Sequence, residues 1–182
     1  MSELMLRESA RRNPTTSKDV VNMTAMAAME PVISTGIAVP VNGVDSFRPA
    51  DWTIAANIGA MGAIGKALLY RTEKNVPASV IMSYPVERDA RDPLILAALR
   101  NRASTSLWYY FQLLVRQAKG PESPAGILLT NGCSNVLYVH VSAGIIPVDA
   151  SWCSTNHYWR FGTDSTSPRI WYRGDMVFAE AK

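Results

Sequence analysis

The most regular hydrophobic pattern in the first half of the chain lies within residues 49–71. Its large apolar side chains recur at about 100° per residue and therefore predict a helix that begins at Pro49. The opposite face carries small residues, among them Gly59 and Ala63, and its only charge before residue 71 is Lys66. Because a solvated helix face normally carries several charges, we expect this helix to be buried on both sides, with a second copy of the chain against one of them.

Two shorter helices and one strand are also predicted in this half. One helix begins near residue 18, after a threonine or serine cap, and ends at Pro31. The β-branched residues of 31–44 are interrupted by glycine and proline, which predicts a strand at the edge of a sheet. Asp92 followed by Pro93 is typical of a helix start.

Residues 107–117 are compatible with two structures. Helical spacing connects Leu107, Phe111 and Leu114, and the Lys-Gly-Pro sequence at 119–121 is typical of a helix end. The run of four aromatic residues at 108–111 instead favours a strand, which is the preferred interpretation.

From residue 125 onward the sequence has the pattern of short strands separated by turns. Segments 127–130 and 136–141 flank Asn131-Gly132 and predict a β-hairpin. Further strands are predicted at 145–148, 158–161, 169–172 and 176–179.

Together these elements predict an α+β fold, with an N-terminal arm and helices followed by a largely antiparallel β-sheet. An all-β, jelly-roll-like sandwich with inserted helices is the alternative. Residues 1–16 contain three arginines and few apolar side chains, and we expect them to form a loosely ordered basic arm. Residues 17–182 are expected to form a single α+β domain.

The composition is that of a globular chain with unusually few charges. The 182 residues are 48% hydrophobic and 18% charged, which excludes an intrinsically disordered protein. The net charge is +3, and residues 66–119 carry nine basic and four acidic side chains. Arginines outnumber lysines by 13 to 5. Since arginine binds phosphate with two parallel hydrogen bonds and stacks on aromatic rings, this ratio favours an interface or a nucleic acid; ordinary surface ion pairs are the alternative explanation.

The sequence also bears on localisation. Cys133 and Cys153 are the only cysteines, and no apolar segment with the form of a secretory signal is recognised. We therefore expect free thiols and a location in a virion or the cytoplasm, without secretion through a signal peptide. No apolar run reaches the roughly 18 residues of a membrane span, and no resident membrane association is expected. Membrane action by the apolar, glycine-rich segment 58–70 is a minority alternative.

No motif identifies a reaction. Residues 60–67 approach a phosphate-binding loop, but Ala60 and Ala67 stand where that motif needs glycine and a serine or threonine, which argues against a nucleotide hydrolase. Cys153 and His157 have the spacing of half a zinc site, without a matching second half. Combinations of serine or cysteine with histidine and aspartate arise by chance in such a chain. The chain is therefore predicted to be neither an enzyme nor a binder of a metal or cofactor.

Low charge density, the doubly buried helix and aromatic residues alternating with arginines favour a self-assembling structural protein. We expect a small viral coat (capsid or nucleocapsid) protein that packs against copies of itself and contacts nucleic acid, with RNA favoured. A monomeric or dimeric nucleic-acid-binding module and an enzyme of unidentified class are the alternatives. The expected phosphate contacts are Arg7, Arg11, Arg12, Lys18, Arg88, Arg91, Arg100 and Arg102. The expected interface residues are Ile58, Gly59, Ala63, Trp159, Trp171 and Tyr172.

Overall fold

A seven-stranded mixed β-sheet forms the centre of the protein. The computed structural model describes residues 31–100, 102–103, 106–124, 126–142, 144–163 and 169–181, and the side chains of all of these except Met61 and Ala63. The strands are β1 (Ala38–Val41), β2 (Val44–Phe47), β3 (Ile58–Met61), β4 (Glu73–Val76), β5 (Ser79–Pro85), β6 (Ala90–Arg91), β7 (Asn135–Val141), β8 (Gly144–Cys153), β9 (Tyr158–Gly162), β10 (Ile170–Trp171) and β11 (Met176–Glu180). The helices are α1 (Gly62–Leu69), α2 (Asp92–Ala98) and α3 (Trp108–Arg116), with 3₁₀ turns at Pro49–Trp52 and Gly120–Glu122.

The strand order in the large sheet is β1-β5-β11-β7-β8-β9-β3. Strand β11 lies parallel to β7 and β3 lies parallel to β9, whereas the other neighbours are antiparallel. Strands β2 and β4, and strands β6 and β10, form two small antiparallel ladders. The chain is therefore sheet-rich with three helices among the described residues, and its strands are interleaved with its helices rather than following them.

Alternate side chains of the central strands enter two separate cores. Leu137 and Phe178 pack in the larger core together with α3, whereas Val136 and Val177 pack in the smaller core together with α2. A helix therefore contributes to the cover of each face of the sheet, which differs from the two facing sheets of the jelly-roll alternative. Strands buried on both faces have continuous apolar sequences.

Within residues 107–117 the chain forms helix α3 (Trp108–Arg116), so the strand interpretation was wrong. Helix α3 is buried along its first seven residues, and its aromatic side chains project into the larger core. The buried carboxylate of Glu73 accepts hydrogen bonds from the backbone N–H groups of Leu107 (3.0 Å) and Trp108 (3.4 Å) and from the Ser106 hydroxyl. This distant acceptor satisfies groups that a helix leaves unpaired at its start, and no local pattern reveals it.

The continuous helix over 49–71 is also wrong. Residue Asn57 has a φ of +53°, and its amide donates hydrogen bonds to the carbonyl oxygens of Ala118 (2.9 Å) and His157 (2.7 Å). These long-range bonds fix a break, after which the chain enters β3 and then α1. Ile54 is 94% exposed and Lys66 lies on an exposed part of α1, so this segment has a solvated face within one chain, and the expected contact with a second copy stays a prediction.

The predicted hairpin lies one segment later than expected. Strand β7 pairs with β8, whereas residues 127–134 form no strand. The Asn135 side chain bonds the backbone N–H and C=O of Leu129, and the Gln117 side chain does the same for Leu128. Side chains thus supply the partners that a neighbouring strand would provide.

Several predicted elements agree with the structure. Strand β1 lies at an edge of the sheet and contains Pro40, and α2 begins at Asp92. The strands predicted after residue 144 correspond to β8, β9, β10 and β11. The predicted helix from residue 18 and the basic arm 1–16 lie outside the described residues.

Candidate nucleic-acid interface

Strand β10 is held against the start of α2 by one carboxylate. Oδ1 of Asp92 accepts hydrogen bonds from the Tyr138 hydroxyl (2.7 Å) and from Nε1 of Trp171 (2.6 Å), while Oδ2 accepts the backbone N–H of Arg169 (2.9 Å). Nε1 of Trp171 also donates to the Tyr138 hydroxyl oxygen at 2.9 Å. This network fixes the backbone from which the arginines on either side of β10 project.

Tyr138 titrates abnormally because of this position. Burial, reinforced by its hydrogen bond and proximity to Asp92, raises the pKa of the Tyr138 phenol above its ordinary value. The phenol is therefore neutral throughout the physiological range and remains a hydrogen-bond donor to the carboxylate.

Arg169 is placed by two contacts. Its Nη1 donates to Oδ1 of Asp149 at 2.9 Å, and its guanidinium lies over the ring of Trp171, 4.6 Å from the centroid. An arginine held by a carboxylate and an aromatic face is oriented before any ligand arrives. The side chain stays about one third exposed, so the guanidinium remains within reach of a partner.

We define the β10 groove as the two depressions that share Ile170 and Tyr172, with volumes of about 270 and 340 Å³. One depression is lined by Arg169 and Arg173, and the other by Arg91 and the apolar Leu94. Tyr172 is 61% exposed in the middle of the groove. An exposed ring between arginines is an arrangement on which bases of single-stranded nucleic acid stack.

A third depression, the β8–β9 basin, adjoins the groove through Arg169, which lines both. The basin has a volume of about 270 Å³, and its polar lining includes Asp149, Ser151, Arg160 and Thr163. Asp149, Ser151 and Arg160 lie on β8 and β9 and alternate with residues of the larger core, so they face the other side of the sheet, and Thr163 directly follows β9. The groove and the basin together therefore join four arginines and one exposed tyrosine on neighbouring elements.

The predicted phosphate-contacting residues are only partly brought together. Arg91 lies exposed in the β10 groove, but Arg88 is half-buried and already has an interaction partner. Arg100 is exposed just beyond the far end of α2, and Arg102 lies over the Tyr84 ring, 5.3 Å from its centroid. Arg7, Arg11, Arg12 and Lys18 lie outside the described residues.

The predicted interface residues also separate into two groups. Trp159 and Trp171 are buried in the chain's own cores, at 0% and 1% exposure, so neither is a surface anchor in this structure; Tyr172 is exposed. Around β10 the exposure alternates, with Ile170 exposed, Trp171 buried and Tyr172 exposed, as expected when successive side chains point to opposite faces. Nε1 of Trp159 donates to the carbonyl oxygen of Gln117 at 2.9 Å, which satisfies the buried indole.

Strand β3 carries the remaining predicted interface positions. Ile58 is half-buried against the larger core, and Gly59 lies beneath the Tyr158 ring, which would be 2.5 Å from an added Cβ. The side chain of Ala63 is outside what the structure describes. Among the described residues, β3 is an edge strand of the large sheet.

The functional candidates that sequence reasoning omitted are Arg160, Arg169, Arg173 and Thr163. The arginines belong to the aromatic–basic alternation at 157–161 and 169–173, a signal that favoured the aromatic residues instead. Thr163 has no sequence signal, because its position is set by the end of β9.

Other chemistries gain no support from the described part of the chain. No group of three or more histidine, cysteine, aspartate or glutamate side chains is placed to hold a metal ion there. A strand does precede the glycine-rich segment, since β3 leads directly into α1, yet Ala60 and Ala67 still occupy the positions where a nucleotide-binding loop has glycine and a hydroxyl. Among the helices of the described residues, none is long and apolar enough to cross a membrane.

Comparison with known proteins gives no match to a family model, to a curated protein or to a solved structure. Functional inference therefore rests on the groove, the basin and the surface around them.

Proposed function

We propose that this chain is a self-assembling structural protein, of the kind that forms a small viral coat, and that it binds single-stranded nucleic acid, with RNA favoured, along the β10 groove. The observation that carries the proposal is the placement of exposed Tyr172 between arginines on a backbone fixed by Asp92. Stacking on tyrosine and charge-assisted bonds from arginine are sequence-tolerant interactions, as a packaging protein requires.

The charges around the groove favour a polyanion. Among the described residues, three acidic side chains line the groove and basin, and each already accepts hydrogen bonds: Asp149 from Arg169, Asp175 from backbone N–H groups, and Asp89 from the backbone N–H of Arg173. By contrast, Arg91, Arg160 and Arg173 form no ion pair with another described residue. All three side chains are exposed, so their guanidinium groups can reach a phosphate.

Exposed apolar side chains beside both sheet edges support self-assembly. Ile37, 61% exposed, directly precedes β1, and Ile54, 94% exposed, lies four residues before β3. Edge strands present unpaired N–H and C=O groups, which readily pair with another chain. An exposed isoleucine at each edge adds apolar area to such a contact.

Nucleic-acid binding is tested by fluorescence anisotropy with a labelled single-stranded oligouridylate. Tyr172→Ala is expected to weaken binding about tenfold, since stacking on one aromatic ring contributes about 1–3 kcal/mol per base. Tyr70→Ala is the matched control, because Tyr70 is 72% exposed and lies outside the groove and basin. Equal losses in the two variants would refute the placement of the binding surface.

The arginine contribution is tested through salt dependence. Arg173→Gln is expected to reduce the slope of log K against log salt by about 0.7, the value for one phosphate contact on a single strand. Arg48→Gln removes the same charge at another exposed position, where Arg48 is paired with Asp51, and is expected to leave the slope unchanged. An unchanged slope in Arg173→Gln would contradict the proposed contact.

Assembly is tested by mass measurement in solution before and after nuclease treatment. Ile54→Asp is expected to reduce the assembled fraction without lowering the urea midpoint, because Ile54 makes little contact within its own chain. Ala78→Asp adds the same charge at another exposed position as a control. A wild-type protein that is monomeric with and without RNA, yet binds oligouridylate, would instead support the nucleic-acid-binding module.

A further inference from the structure

The β8–β9 basin is lined by a buried residue whose hydroxyl has no hydrogen-bond partner among the described residues. Thr163 lines the basin and is 7% exposed, and its Oγ1 has no hydrogen-bond partner among the described residues. Buried hydroxyls are nearly always satisfied in folded proteins, and one left unpaired lowers stability. An oxygen-bearing ligand in the basin would supply the missing partner.

Helix α1 begins at the same basin. Its first residue, Gly62, lines the basin with a φ of +70°, and the eight-residue helix has no acidic side chain in its first turn. The first backbone N–H groups of a helix have no intrahelical acceptor and carry partial positive charge. The start of α1 therefore offers donors to an anion without competition from a carboxylate of its own first turn.

Close packing keeps this helix start at the end of β9. A Cβ added to Gly65 would lie 2.9 Å from the Cα of Gly162, so only glycine allows α1 to approach the strand so closely. Gly162 is the last residue of β9 and lines the basin directly before Thr163. Helix start, unpaired hydroxyl and strand end are thus fixed relative to one another.

The described residues that line the basin have a positive balance of side-chain charge. Arg160 and Arg169 line it together with one carboxylate, that of Asp149, which is bonded to Arg169. Its volume of about 270 Å³ is at the small end for ligand sites, which suits a phosphate group with part of its attached sugar better than a larger molecule.

We infer that the β8–β9 basin binds one phosphate group, which receives hydrogen bonds from the Thr163 hydroxyl and the start of α1 and pairs with Arg160. This inference rests on the proposed function in one respect: the phosphate belongs to a nucleic-acid strand in the β10 groove, which reaches the basin past Arg169. The basin provides a fixed point for the strand, whereas Tyr172 provides stacking.

The experiment is equilibrium dialysis of the full chain against radiolabelled orthophosphate at fixed ionic strength. Saturable binding of one phosphate per chain is expected for the wild-type protein. Thr163→Val, which exchanges the hydroxyl for a methyl group of similar size, is expected to weaken binding at least about tenfold, as for a lost hydrogen bond to a charged group. Thr163→Ser keeps the hydroxyl and should bind within about threefold of the wild type.

Thermal unfolding without phosphate separates a ligand site from a structural role. Removing an unsatisfied buried hydroxyl is expected to raise the midpoint of Thr163→Val by about 2–4 °C. A lower midpoint in Thr163→Val would show that the hydroxyl has a structural partner and would overturn the inference, as would unchanged phosphate affinity in this variant or absence of saturable binding in the wild type.

The same variants distinguish failure of the basin from failure of the proposed function. Orthophosphate binding that depends on Thr163, together with no binding of oligouridylate, would retain the phosphate group as ligand but overturn its assignment to a nucleic-acid strand. Oligouridylate binding that depends on Tyr172 but not on Thr163 would retain the nucleic-acid function and overturn the basin as its phosphate site.

Discussion

The carboxylate of Asp92 is predicted to control both stability and nucleic-acid affinity. In Asp92→Asn only one of the two side-chain oxygens remains an acceptor, although the wild-type carboxylate accepts from Tyr138, Trp171 and the backbone of Arg169. If the amide oxygen stays with Tyr138 and Trp171, the amide nitrogen faces the backbone N–H of Arg169, and two donors meet.

The magnitude follows from these three bonds. Hydrogen bonds to a charged group contribute about 1.5–3 kcal/mol, and those to a neutral one about 1 kcal/mol. Losing the bond to Arg169 and weakening the other two should lower the free energy of unfolding by about 3 kcal/mol. With a denaturant slope of about 2 kcal/mol per molar, the urea midpoint should fall by about 1.5 M.

The assay is urea unfolding followed by tryptophan fluorescence, with Asp45→Asn as the control. Asp45 is an exposed acidic residue on β2, so its amide variant should keep the wild-type midpoint. Oligouridylate affinity, measured well below the midpoint of Asp92→Asn, should also decrease because Arg169 loses its backbone anchor. A midpoint shift of under about 0.3 M in Asp92→Asn would refute the reasoning, because that is less than even one neutral hydrogen bond.

Two further predictions concern the buried polar groups of the fold. Glu73→Gln should lower the free energy of unfolding by about 2 kcal/mol, because the start of α3 loses a charged acceptor. Glu122→Gln, at an exposed position, is the control. Equal unfolding curves for the two variants would contradict the role given to Glu73. Burial raises the pKa of Tyr110 and of Tyr138, so both phenols stay protonated in the folded chain while they ionise in the unfolded chain above about pH 10. The free energy of unfolding is therefore unaffected by these phenols well below that pH. Above it, the free energy of unfolding should decrease by about 1.4 kcal/mol per pH unit for each phenol. Denaturation from about pH 9 to above pH 11 measures this slope, which begins near pH 9 and reaches its full value only above about pH 11. Tyr138→Phe should reduce the slope, and an unchanged slope would show that the phenol already ionises in the folded state.

The sequence alone determined the elements whose signals are local. The Asp-Pro start of α2, the edge position of the proline-containing β1 and the short strands after residue 144 follow from capping, backbone restriction and alternation, which act within a few residues. The excess of arginine over lysine favours an interface or a nucleic acid as partner, which stays a prediction, and a residue count cannot identify which arginines lie together.

Only tertiary structure decided the elements that depend on distant partners. Asn57 ends the helical pattern of 49–71 because its amide reaches Ala118 and His157, and Glu73 supports the start of α3 across more than thirty residues.

The residues of the candidate site are also brought together only by tertiary structure. Trp159 is in the core and Tyr172 is on the surface although both are aromatic, because the place of each residue in the fold, rather than its type, decides its burial. Thr163 and the start of α1 meet only because β3 lies beside β9 in the sheet, a pairing of residues about a hundred positions apart that no pattern along the chain records.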